Sequence, residues 1–148
     1  MRDHVRFRSD EFAPPDREPW QINGERFGYA LATWVAARLT ERGFAVDPPV
    51  PEDWGWLLGV RQGGQVVQIG CGNVEGSVSE WLIWLEVARG GVIRRLFARA
   101  PRTGQPNAVY GIAAAIHGAL HASPNADDIE WFRVGSRGEE LDLADTPI

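Results

Sequence analysis

The strongest constraint on the fold is the glycine pair Gly63-Gly64, which separates two stretches rich in apolar residues. A two-residue hairpin turn needs positive φ angles, which glycine adopts at little cost. If these glycines form the turn, the large apolar residues fall on one face of the hairpin. The facing pairs there are Trp54 with Asn73, Trp56 with Cys71, Leu58 with Ile69, and Val60 with Val67. The spacing therefore predicts an antiparallel hairpin with both tryptophans pointing into a core.

A second glycine pair, Gly90-Gly91, lies between Glu80–Val87 and Val92–Phe97 and predicts a second hairpin. It would place Trp84 opposite Phe97, and Glu86 opposite Arg95, both favourable cross-strand pairs. The competing interpretation makes Ser79 a helix cap with an apolar stripe after it. That stripe would be Trp81, Leu85 and Ala88. We favour the strands.

Helical spacing of apolar residues recurs in two segments. The first runs from Gly24 to Arg42, with Asn23 placed to cap its start and Gly43 to end it. The second runs from Pro106 to Ala122, and a last short strand is expected at residues 128–134. Helices and strands that do not alternate strictly favour an α+β fold. We expect an antiparallel sheet of about five strands, built from the two Gly-Gly hairpins, with both helices on one face.

The two ends of the chain look different from its centre. Residues 1–23 contain prolines and charges that resist regular structure and predict an irregular amino-terminal arm. Residues 24–134 are expected to form a single α+β domain, and residues 135–148 an acidic carboxy-terminal tail.

Composition excludes several classes of function. The chain contains no lysine, so it lacks the phosphate-binding lysine of a Walker A loop and the amine of Schiff-base and pyridoxal-phosphate enzymes. Cys71 is the only cysteine, which excludes an internal disulfide and a multi-cysteine zinc site. The net charge of −5 disfavours nucleic acid as a partner, including single strands bound by aromatics and arginines. Neither a signal peptide nor an apolar membrane span is evident, so we expect a cytoplasmic protein without a cofactor.

Three groups of residues are candidate sites of chemistry. Glu52 and Asp53 are adjacent, so in a strand they would point to opposite faces, which favours a structural role in a turn. Residues 70–76 are rich in glycine, but their spacing does not fit a dinucleotide-binding loop, and we interpret them as a strand end and loop. His117 and His121 stand four residues apart on the second helix, the spacing of a metal pair, but no third ligand is evident.

The best functional lead is the sheet face opposite the hairpin core. Its glycines leave the surface flat, and its aromatic and arginine side chains are of the types enriched at interfaces. The candidate partner-binding residues are Trp84, Phe97, Arg95, Arg99, Arg61 and Leu57. The alternative is internal packing, in which Trp84 and Phe97 cover neighbouring glycines or lie beneath one end of the chain.

These observations favour a small cytoplasmic protein-binding domain without catalytic activity, in an adaptor, secretion-chaperone or immunity-like role. Its partner would be another protein or a second copy in a homodimer, with neither nucleic acid nor membrane involved. The alternative is an enzyme, or a metal- or small-ligand-binding domain, that uses His117 and His121 on the second helix.

Overall fold

The computed structural model describes residues 1–14, 24–88 and 105–148 of the chain. In these ranges the fold is α+β, with two helices and an antiparallel sheet of eight strands. The helices are α1 (Tyr29–Glu41) and α2 (Gln105–Ala122). The strands are β1 (His4–Arg8), β2 (Ala45–Val46), β3 (Val50–Glu52), β4 (Gly55–Gln62), β5 (Gln65–Asn73), β6 (Glu80–Val87), β7 (Asp127–Val134) and β8 (Glu140–Ala144). Their order across the sheet is β2-β4-β5-β6-β1-β7-β8, and β3 also pairs with β4.

The hairpin at Gly63-Gly64 joins β4 to β5. Both glycines have positive φ, +57° and +77°. The register places Trp56 opposite Cys71, Leu58 opposite Ile69 and Val60 opposite Val67, as the turn predicts, and all six side chains are buried. We call this side of the sheet the inner face, because both helices pack on it, and the opposite side the outer face.

Trp54 does not share the position of Trp56, so the prediction that both point into the core is wrong. Trp56 is 1% exposed within the core. Trp54 is only partly buried, and its ring lies 5.2 Å from that of Trp84, an outer-face residue. The physical reason is that residues 53 and 54 form a turn between β3 and β4. Strand alternation therefore begins at Gly55, one residue too late to fix the direction of Trp54.

The segment Glu80–Val87 is a strand, so the helical interpretation of these residues is wrong. Trp81, Ile83 and Leu85 are buried, whereas Leu82 and Trp84 between them are half-buried on the outer face. The strand pairs with β5 and β1. The second glycine pair and residues 92–97 lie outside the described residues, so that hairpin stays a prediction.

The expected count of about five strands is too low, because short strands form in segments interpreted as irregular. The expectation of an irregular arm is wrong for His4–Arg8, which forms β1 between β6 and β7 with Val5 and Phe7 fully buried. The prolines farther along the chain favour irregular structure, whereas residues 4–8 alternate polar and apolar in the manner of a strand. The expected acidic tail likewise contributes β8, which pairs with β7.

Both helices cover the inner face. The central apolar residues Leu31 and Val35 of α1, and Ile112 and Ile116 of α2, belong to one buried cluster with the inward side chains of the sheet. The first helix begins at Tyr29, later than predicted, after Gly28 as its N-cap, and Gly43 with φ +87° follows its end. The expected cap Asn23 lies outside the described residues. Neither α1 nor α2, the helices of the described ranges, combines the length and apolarity needed to cross a membrane.

Candidate functional site

A continuous row of mainly apolar side-chain positions crosses the outer face. The strand register brings these positions side by side from β3 to β7. We call them the transverse row: Val50, Leu57, Gly70, Trp84, His4 and Phe132. Because paired residues on neighbouring strands point to the same side, the row forms one strip of surface.

Trp84 occupies the centre of the transverse row and lies across its glycine. A Cβ atom placed on Gly70 would stand 2.0 Å from the Trp84 ring, so only glycine leaves room for the indole there. Trp54 contacts the same indole from the turn before β4. The indole is held in place but remains partly accessible to solvent. Trp84 therefore covers a glycine, as the internal-packing alternative expects, and still presents apolar surface.

The far end of the transverse row is closed. Phe132 is 3% exposed, with the His4 ring 5.4 Å away and the Arg6 guanidinium 5.4 Å above its centre. Arg6 also donates hydrogen bonds to Glu140, at 2.6 Å, and to Glu130, at 2.9 Å. The hydrogen bond to Glu140 is the main reason that the pKa of Arg6 is raised, with burial opposing it and Glu130 adding to it. These contacts leave the surface around Trp84 as the open part of the row.

Charges border that open part. Glu86 is exposed two residues along β6 from Trp84, so it points to the same face, and it forms no ion pair with another described residue. Asp3 hydrogen-bonds to the Nδ1 atom of His4 at 2.8 Å. Arg61, 65% exposed in its side chain, pairs with Asp47 at 3.2 Å. Among the described residues, Glu86 is thus an acidic group without an ion-pair partner beside Trp84, whereas Arg61, the predicted arginine that lies in this part of the chain, is paired with Asp47.

The predicted partner-binding residues are only partly located. Trp84, Leu57 and Arg61 all lie on the outer face, in β6 and β4. Arg95, Phe97 and Arg99 lie outside the described residues, so their predicted role stays untested.

Sequence reasoning missed three members of the row. Val50 was missed because the prolines on either side of it do not predict the strand β3. His4 was missed because β1 was not recognised, and Phe132 because nothing in the sequence assigned β7 its neighbour. The polar–apolar alternation of residues 4–8 was the signal that could have identified β1.

His117 and His121 lie together on α2, with ring centres 4.3 Å apart. The pKa of His117 is lowered, first by burial and then by His121, while Asp145 acts in the opposite direction. Its ring also stands 6.3 Å from the ring of Trp131 on β7. Within the described ranges, no group of three or more histidine, cysteine or acidic side chains is arranged to hold a metal ion.

The glycine-rich residues 70–76 contain the end of β5 and the loop after it, and Asn73 among them binds the backbone of neighbouring segments. The Asn73 side chain accepts a hydrogen bond from the Phe27 N–H at 2.9 Å, and it donates to the carbonyls of Glu25 and Ser77 at 3.0 and 2.9 Å. A Cβ on Gly72 would come within 2.9 Å of the Trp54 carbonyl oxygen. This close packing of backbone agrees with the interpretation as a strand end and loop. Glu52, with Asp53 in the turn after it, lies where β3 leads into β4.

Comparison with known proteins gives no guide to function. No protein-family model matches this chain, and no curated protein or solved structure gives a significant match. The geometry of the chain itself is therefore the guide to its function.

Proposed function

We propose that this protein is a small cytoplasmic protein-binding domain without catalytic activity, in an adaptor, secretion-chaperone or immunity-like role. The observation that supports it most directly is the half-buried Trp84, held at the centre of the transverse row by Gly70 and Trp54. Preorganised aromatic side chains bind at a low cost in conformational entropy, which is one reason that they recur at interface hot spots.

The partner proposed for this surface is a segment of another protein that is both apolar and basic. Leu57 on β4 and Trp84 on β6 offer apolar contact on either side of Gly70 on β5. Glu86 offers a carboxylate beside them that no described residue neutralises, and the whole chain carries a net charge of −5. Complementary charge steers such a partner and fixes its register, while the aromatic surface supplies most of the affinity. An arginine of the partner could also stack on the Trp84 ring.

The test compares two synthetic peptides of equal length and equal apolar content, one carrying arginines and the other glutamates. Fluorescence anisotropy of labelled peptides measures the dissociation constant Kd for each. We expect the arginine peptide to bind and the glutamate peptide to bind at least tenfold more weakly, a difference of about 1.4 kcal/mol. Equal binding of both peptides, or binding of neither, would contradict the proposal.

Two variants assign the binding to the outer face. Glu86→Arg reverses the charge beside Trp84, and Trp84→Leu keeps an apolar side chain but removes the aromatic ring. Each variant should weaken binding of the arginine peptide about tenfold. Glu41→Arg makes the same change of charge at the exposed end of α1, in the helix layer, and serves as the matched control. A loss of affinity in the control equal to that of Glu86→Arg would show that only net charge matters.

A second copy of the chain is the competing occupant of this surface. Native mass spectrometry of the purified protein at micromolar concentration separates the two cases. The proposal expects a monomer that binds the arginine peptide one to one. A dimer that Trp84→Leu dissociates would instead assign the outer face to self-association and overturn the proposed partner.

A further inference from the structure

Two buried nitrogen atoms on neighbouring rings lack a hydrogen-bond partner among the described residues. They are Nδ1 of His117 on α2 and Nε1 of Trp131 on β7, whose ring centres are 6.3 Å apart. Trp131 is 0% exposed, so water at the protein surface does not reach its indole N–H. Buried polar atoms in folded proteins are rarely left unpartnered, since each costs about 1 to 3 kcal/mol. Two such atoms on neighbouring rings point to a binding site between α2 and β7.

The chemistry of the two atoms restricts what can satisfy both. The indole nitrogen can only donate a hydrogen bond, whereas a neutral imidazole nitrogen donates in one tautomer and accepts in the other. With the His117 proton on Nε2, the buried Nδ1 is an acceptor. A hydroxyl oxygen then meets both requirements, because it accepts from the indole N–H and donates its own hydrogen to Nδ1. One oxygen with two hydrogen bonds of about 2.9 Å joins nitrogen atoms about 5 Å apart, a separation that ring centres 6.3 Å apart allow.

Other classes of ligand fit less well. A metal ion cannot be bound by an indole N–H, and coordination through Nε2 of His117 would force the proton onto the buried Nδ1. A carboxylate can only accept, so it suits only the tautomer with the proton on Nδ1, and Asp145 already places negative charge close enough to act on His117. The site therefore favours a neutral hydroxyl group.

We propose that His117 and Trp131 bind one hydroxyl group, from a water molecule or a small neutral alcohol, with His121 at the solvent side of the site. His121 suits this position because its side chain is exposed and its ring lies 4.3 Å from that of His117. The site lies on the helix-bearing side of the sheet and does not depend on partner binding at the outer face.

Nuclear magnetic resonance of the unmodified protein, labelled with ¹⁵N, tests the proposal without any change in sequence. Long-range ¹H–¹⁵N spectra report the tautomer of His117, and we expect an unprotonated Nδ1. The Trp131 indole proton should show a nuclear Overhauser effect to a bound hydroxyl proton. An effect at the water frequency in plain buffer identifies water as the source. Saturable shifts of both rings on titration with methanol or ethylene glycol identify an alcohol.

A matched pair of variants locates the hydroxyl group. His117→Phe removes the acceptor but keeps an aromatic ring. It should weaken the contact of the hydroxyl group with Trp131 and weaken any alcohol binding about tenfold, the value of one hydrogen bond. His121→Phe should preserve both. The assignment of the Trp131 signal is made with Trp131→Phe.

Three results would overturn the inference. One is a proton on Nδ1 of His117 in the neutral ring. Another is a Trp131 indole proton without any hydroxyl contact in the unmodified protein. The third is a titration with Zn²⁺ that shifts the two histidines together and leaves Trp131 unchanged, which would assign the pair to a metal instead.

Discussion

Trp81 and Trp84 lie three residues apart on β6, yet their environments on the two faces of the sheet are very different. The inner-face Trp81 is fully buried, and its Nε1 atom donates a hydrogen bond to the Ser9 carbonyl at 2.9 Å. The outer-face Trp84 is only half-buried, and it packs on Gly70 and against Trp54. The same residue type is thus fully buried on the helix-covered face, and on the other face it is only supported by Gly70 of β5 and by Trp54 in the turn before β4.

The difference shows how a sheet with helices on one face limits the exposure of apolar surface on the other face. The inner face fills its space with large residues against α1 and α2. The outer face instead uses a glycine to let an indole lie flat, and ion pairs such as Arg6 with Glu130 to cover apolar surface. This arrangement reduces apolar exposure without removing it, which is the property that a docking surface needs.

The largest expected effect tests the inner face. Trp56→Ala should lower the free energy of unfolding by about 3 to 5 kcal/mol, because a large cavity opens in the packed core. Trp54→Ala, two residues earlier, should cost about 1 kcal/mol, since that ring is only partly buried. Urea denaturation followed by circular dichroism measures both. Equal losses for the two variants would show that the faces are not distinguished as described.

A substitution at Gly70 should have an intermediate effect on stability, and this effect comes from the outer face alone. Gly70→Ala should cost about 1 to 3 kcal/mol, since its Cβ would collide with the Trp84 ring and force the indole away. In the double variant Gly70→Ala with Trp84→Ala the collision disappears, so the costs of the two single changes should not add. The double-mutant cycle is measured by urea denaturation.

A glycine elsewhere provides the control for that cycle. Gly118 lies within α2, where a Cβ would meet no atom closer than 3.9 Å. Gly118→Ala should leave stability unchanged or raise it by up to about 1 kcal/mol, because alanine favours helix. Strictly additive costs in the Gly70 and Trp84 cycle would mean that the indole does not lie over this glycine.

The inner face was largely predictable from sequence because its signals are local. Two adjacent glycines fix the register of the β4–β5 hairpin, and strand alternation then assigns the buried pair Trp56 and Cys71 without knowledge of any distant contact. The apolar spacing of α2 works in the same way, and the helix begins within one residue of its predicted start.

The outer-face site was less predictable because it depends on neighbours far apart in the chain. His4 reaches the transverse row only because β1 inserts between β6 and β7, a pairing of distant segments that no local pattern specifies. Trp54 was misplaced for a related reason, since a turn interrupts the alternation one residue before Gly55. Which side chains support Trp84 therefore emerges only from the assembled sheet.

The smallest expected effect comes from His117, the titrating group between the helices and the inner face. Burial and His121 lower its pKa below 6.5, while Asp145 partly opposes them, so the folded protein prefers the neutral ring. As pH falls below 6.5, the unfolded chain binds protons more readily than the folded one, and stability decreases until the folded state is also protonated. Above pH 6.5 this contribution to stability is fully present.

Urea midpoints measured between about pH 7.5 and 5 should therefore fall more for the unmodified protein than for His117→Phe. In His121→Phe the urea midpoint should still fall with pH, but by less, because burial is the larger cause of the lowered pKa of His117. Identical profiles for all three proteins would show that His117 titrates as it does in the unfolded chain, and that the helix-covered side of the sheet is as open to water at this point as the side that carries Trp84.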